Sequence, residues 1–113
     1  MLALFALSVA STASAHAFLD HAVPPVGATV AGSPRALRLS FSEPIEPMFS
    51  GVDLATASSD PVKTGAPAVD PNDPAALVVP LPPLPPGRYR VSWHVVSVDT
   101  HRTEGSYEFE VKG

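Results

Sequence analysis

The chain has 113 residues, seven Lys and Arg against eleven Asp and Glu, a formal net charge of −4 and no cysteine. This length suits one small domain with a single core, and the acidic balance, with no Lys/Arg cluster, excludes the phosphate footprint of a nucleic-acid binder. Without thiols there is neither a disulfide framework nor a thiolate metal site, which excludes a blue-copper electron carrier.

Residues 1–15 carry no charged side chain, run apolar from Leu2 to Ala10 and end in the small-x-small pattern Ala13-x-Ala15. They read as a secretory signal peptide cut between Ala15 and His16. Ser11, Thr12 and Ser14 end the apolar run well short of the about 20 residues that span a bilayer. No Lys or Arg precedes the run, so its positive charge is the amino terminus of Met1 alone. The mature domain is then 16–113, exported to the periplasm, with His16 as its first residue.

Fourteen prolines and seven glycines punctuate short runs rich in Val, Leu, Tyr and Phe, a pattern that disfavours helices and predicts strands. Residues 17–23 are expected to be extended and, with Pro24 and Pro25 following, to lie at a sheet edge. In 36–42, Leu37, Leu39 and Phe41 share one face and Arg38 and Ser40 the other. The two prolines of 43–48 predict a loop, and 51–56 a further strand. Residues 57–74 are polar and proline-studded, with one short strand expected near 62–64. A strand over 76–81 leads into the stiff connector 81–87, whose prolines fix φ. The longest strand is expected at 88–98, with Tyr89, Val91, Trp93 and Val95 facing the core and Arg90, Ser92 and His94 facing out. Residues 105–111 alternate again, Tyr107, Phe109 and Val111 against Glu108 and Glu110. About seven strands in this length predict an all-β antiparallel sandwich or Greek-key barrel.

Two separated places carry chemistry. If the backbone is extended at 99–101, Asp99 and His101 point to the same side, so a carboxylate oxygen and an imidazole nitrogen converge. Polar loops often hold both residues by chance, and the pair gains meaning from His16. A free N-terminal histidine offers its α-amino nitrogen and ring Nδ1 to one metal, closing a six-membered chelate ring that no internal histidine can form. With Asp99 and His101 the set is three nitrogens and one oxygen, which suits the tetragonal N,O preference of Cu(II). The amine must lose a proton to bind, and its ordinary pKa of about 7.7–8.0 makes this cheap near neutrality.

These segments together resemble the CopC family of periplasmic copper-binding, copper-resistance proteins. The resemblance is carried by His16-Ala17-Phe18-Leu19, by Leu37-Arg38-Leu39-Ser40-Phe41-Ser42-Glu43-Pro44, and by Leu84-Pro85-Pro86-Gly87. Trp93-His94-Val95-Val96-Ser97-Val98-Asp99-Thr100-His101 and Gly105 complete it. It implies a cupredoxin-like or immunoglobulin-like β domain with His16, Asp99 and His101 as Cu(II) ligands, and a CopD-type inner-membrane partner that receives copper. A site built from one chain fits a monomer.

Some members of that family carry a methionine-rich Cu(I) loop, which here would fall within 55–69. That stretch holds neither Met nor His, so one Cu(II) site is expected and Met48 reads as a packing residue. His21 lies too far along the first strand to join His16, and His94 reads as a surface or hydrogen-bonding histidine. Glu104 reads as a solvated loop residue. A histidine-brace copper monooxygenase is the enzymatic rival, and a secreted β domain without metal the plainest one. The small size and the Asp99 carboxylate, which would occupy the position oxygen needs, favour a binding protein over an enzyme.

Overall fold

A computed structural model describes residues 17–113. The expected signal segment and His16 lie outside the described residues. Among the described residues nine strands form two sheets: β1 (Leu19–Val23), β2 (Thr29–Ala31), β3 (Ala36–Phe41), β4 (Gly51–Thr56), β5 (Pro61–Val62), β6 (Ala68–Asp70), β7 (Asp73–Pro80), β8 (Gly87–Val96) and β9 (Arg102–Lys112). One sheet has the order β1-β3-β7-β6, the other β2-β9-β8-β4-β5. The fold is an all-β sandwich, as expected. It does not close into a barrel, and β2 runs parallel to β9, so the second sheet is mixed.

Alternation sets the two inner faces. Leu37, Leu39 and Phe41 of β3 and Leu77 and Val79 of β7 are buried against Tyr89, Val91, Trp93 and Val95 of β8 and Tyr107, Phe109 and Val111 of β9. Ring packing ties the layers where Phe41 meets Trp93 edge-on with centroids 5.2 Å apart, and within the second sheet Tyr89 stacks on its register partner Phe109 at 5.7 Å. The Trp93 indole lies over Gly105, its register partner on β9; a Cβ there would come within 2.7 Å of Trp93 Cζ2.

Several boundaries differ from the sequence expectation. The longest strand is β9, with eleven residues, rather than β8, with ten, because the turn after β8 hands the chain to pairing already at Arg102. Strands β2 and β6 were not expected. Each has three residues and is held by its neighbour's backbone rather than by any alternation of its own. β1 is an edge strand, as its flanking prolines require. The proline connector is pinned to the body by Leu84 N–H donating to Ser33 Oγ at 2.7 Å and by Tyr89 O–H donating to Pro85 O at 2.5 Å.

Candidate metal centre

The turn between β8 and β9 carries both predicted donors of that region. Asp99 Oδ2 and His101 Nδ1 stand 3.3 Å apart, with side chains 36% and 50% exposed. They converge through a tight turn, not through the extended backbone expected: Thr100 N–H donates to Ser97 O at 2.8 Å, and Thr100 takes φ 74°. Left-handed backbone is unusual for a β-branched residue, and such strain gathers where a site needs a fixed shape. A first-row metal bonds N and O ligands at about 2.0–2.2 Å, so one ion can reach both atoms across this gap.

The turn is held by Ser97 and by the loop before β4. Ser97, wholly buried, donates its hydroxyl to Asp99 Oδ1, and its backbone N–H donates to His101 O at 2.9 Å. The loop before β4 runs alongside, with Val98 N–H donating to Pro44 O at 3.2 Å and Glu46 N–H to Val96 O at 2.8 Å. Ile45 bridges Ser97. The Ser97 hydrogen bond holds the Asp99 carboxyl below the ordinary carboxylate range; desolvation opposes this, and the His101 ring adds to the lowering. Asp99 is therefore ionised at neutral pH.

The start of the described chain is tied to the same end. Thr103, two residues past His101, donates from Oγ1 to Ala17 O at 2.6 Å. Phe18 N–H donates to Ser42 Oγ at 2.8 Å, and Ser42 N–H returns to Phe18 O at 2.8 Å. Ala17 is fully buried. Among the described residues no group of three or more His, Cys, Asp or Glu side chains is arranged to hold a metal; Asp99 and His101 are a pair.

The other candidates are placed elsewhere. His21 sits opposite Ser40 on β1, further along the strand from the Phe18–Ser42 tie. His94 stands between Gly51 and Glu104 in register on the outer face, its ring so close over Gly51 that a Cβ there would lie 2.7 Å from Cε1. Glu104 belongs to β9 rather than to a loop, and its carboxylate lies 3.9 Å from Arg102 Nη2. Met48, expected to pack, is 87% exposed on the 3-10 turn Pro47–Phe49, and Phe49 and Val98 are exposed with it.

Two supporting residues went unnoticed in the sequence, Ser97 and Thr103. Ser97 continues the inward phase of Tyr89, Val91, Trp93 and Val95, and a hydroxyl in a core-facing position signals that it has a partner. Thr103 carries no such signal, because its partner lies 86 residues away.

The chain has relatives among known proteins. The CopC domain model matches residues 19–112. The chain is 44% identical to protein YobA of Escherichia coli K12, over 87% of this chain and 80% of YobA. It is 39% identical to copper resistance protein C of Escherichia coli, over 94% of this chain and 89% of that protein. The crystal structure of CopC from Methylosinus trichosporium OB3b superposes with a TM-score of 0.81 at 33% identity, covering 86% of this chain and 94% of the other. The chain belongs to the CopC domain family.

Proposed function

We propose that this chain is an exported Cu(II)-binding protein of copper resistance, which uses His16, Asp99 and His101 to hold one Cu(II) in the periplasm. It buffers the ion or passes it to an inner-membrane partner of the CopD type. The observation that carries the reading is the juxtaposition of two features: the Asp99–His101 pair at 3.3 Å, and the hydrogen bond from Thr103, two residues beyond it, to Ala17. His16 is peptide-bonded to Ala17, and consecutive Cα atoms are about 3.8 Å apart, so signal cleavage would release its amine next to a strand end fastened beside the pair. The similarity to copper resistance protein C supports copper as the cargo.

In this reading the chain's own groups supply the whole site. The free amine and Nδ1 of His16 chelate, Asp99 supplies a carboxylate already free of its proton, and His101 supplies an imidazole nitrogen. Copper is the cargo, and the protein acts as a binder rather than an enzyme. An amine, two imidazoles and a carboxylate would suit holding Cu(II) rather than activating oxygen on it.

The deciding experiment compares protein beginning at His16 with protein carrying one extra residue before it. The extension turns the chelating amine into an amide, so Cu(II) affinity should collapse while the fold is kept. Equal affinity would remove His16 from the site. Reproducible copper-dependent oxidation of a substrate with peroxide would overturn the binding-only view.

A further inference from the structure

Ser97 lies one step past the end of β8 and still points into the sandwich, wholly buried in line with Val91 and Val95. Among the described residues it is the buried polar one, and a buried hydroxyl requires a hydrogen-bond partner. Its hydroxyl donates to Asp99 Oδ1, and its backbone N–H donates to His101 O at 2.9 Å. One residue fixed in the core therefore holds the side chain of one donor and the backbone of the other.

Asp99 is on the exposed part of the turn, where an untethered carboxylate would rotate freely. Accepting at Oδ1 fixes that rotation and leaves Oδ2 turned towards His101 Nδ1, 3.3 Å away. We propose that Ser97 is a positioning residue that anchors Asp99 to the core, so that the turn presents the Asp99–His101 donor pair to the metal in one preset arrangement. The proposal rests on the reading of Asp99 and His101 as Cu(II) ligands. Ordering the donors before binding lowers the conformational cost of capture, and loss of a group that supports a metal ligand commonly weakens affinity by about 10–100-fold.

The test uses mature protein beginning at His16, titrated with Cu(II) against a competing chelator, with electron-spin spectra of the loaded protein. Ser97→Ala should bind about 10–100-fold more weakly and change the Cu(II) spectrum, while Ser97→Thr, which keeps the hydroxyl, should restore the spectrum. In an Asp99→Ala background, Ser97→Ala should cost little more, because the carboxylate through which it acts is gone. Wild-type affinity and spectrum in Ser97→Ala, or an equal penalty in both backgrounds, would overturn the proposal and leave Ser97 as core filling. If Asp99→Ala itself binds like wild type, the ligand reading falls and this proposal with it; a large loss in Asp99→Ala with none in Ser97→Ala sinks the positioning role alone. Should Ser97→Ala not fold, Ser97→Cys replaces it with the same expectations, since the thiol fills the space and is only a weak donor.

Discussion

Thr103 Oγ1 donates a 2.6 Å hydrogen bond to the carbonyl of Ala17, joining the start of the described chain to the strand that leaves the Asp99–His101 turn. The bond closes the same end of the sandwich that the Phe18–Ser42 pairing holds. Replacing Thr103 by Val keeps the shape and removes the donor. A typical hydrogen bond contributes about 1 kcal/mol net, which in a domain of this size is a drop in Tm of about 4–8 °C. Thr103→Val should show that drop in a melting curve of metal-free protein. Chelator competition should also show weaker Cu(II) binding, because the segment bearing His16 loses one of its tethers and is left with the Phe18–Ser42 pairing. An affinity unchanged despite the lower Tm would mean that the tether serves the fold only.

The histidines separate by position. His101→Ala and Asp99→Ala should each weaken Cu(II) binding by more than the roughly 10–100-fold that loss of a supporting partner costs. His94→Ala and His21→Ala, on the outer face of β8 and on edge strand β1, should leave it within a factor of about two, since no lost contact reaches the site. A Cu(II) titration across the four variants decides this, and a large effect of His94→Ala would move the site to the β4-β8-β9 face.

Tyr107 is the buried exception to hydrogen-bond satisfaction: among the described residues its hydroxyl has no partner, and burial pushes its pKa from 10.0 to about 12. The folded state therefore keeps this proton after the unfolded chain has released it. The contribution is fully present below about pH 10 and is lost as pH rises towards about 12. Tyr107→Phe should raise stability at neutral pH by about 1 kcal/mol, because an unsatisfied buried hydroxyl is removed. It should also flatten alkaline unfolding between those two pH values. Denaturant melts at pH 7 and along an alkaline series measure both; destabilisation at pH 7 would reveal a bound water or other partner for the hydroxyl.

Two glycines face the same steric distance with opposite expected outcomes. A Cβ at Gly105 would lie 2.7 Å from Trp93 Cζ2, and one at Gly51 would lie 2.7 Å from His94 Cε1. Trp93 is 9% exposed and locked against Phe41, so Gly105→Ala should cost about 1–3 kcal/mol as overpacking. The His94 ring is half-buried on the outer face and can swing away, so Gly51→Ala should be close to neutral. Chemical denaturation of the two variants side by side tests the contrast, and equal losses would show that His94 is held as firmly as Trp93.

The sequence by itself determined the class of fold and the inner faces. Period-two alternation in β3, β8 and β9 is a local property, and each of those strands buries the residues that the alternation selects. It also marked Asp99 and His101, because a short spacing keeps two donors near each other in almost any backbone. The mixed sheet, the strands β2 and β6, the exposure of Met48 and the roles of Ser97 and Thr103 were decided only by the tertiary structure. For β2 and Thr103 the deciding partner is far away in the chain, β9 and Ala17; β6 pairs with β7 across a two-residue turn but has too few residues to show an alternation of its own. No local pattern encodes such pairings. The donor pair shows the division most closely. Its spacing was legible at once, but an extended strand was the wrong route to it. The tight turn with Thr100 in a left-handed conformation forms because Ser97 is buried in the core and Pro44 and Ile45 pair along it, contacts that exist only once the two sheets have packed.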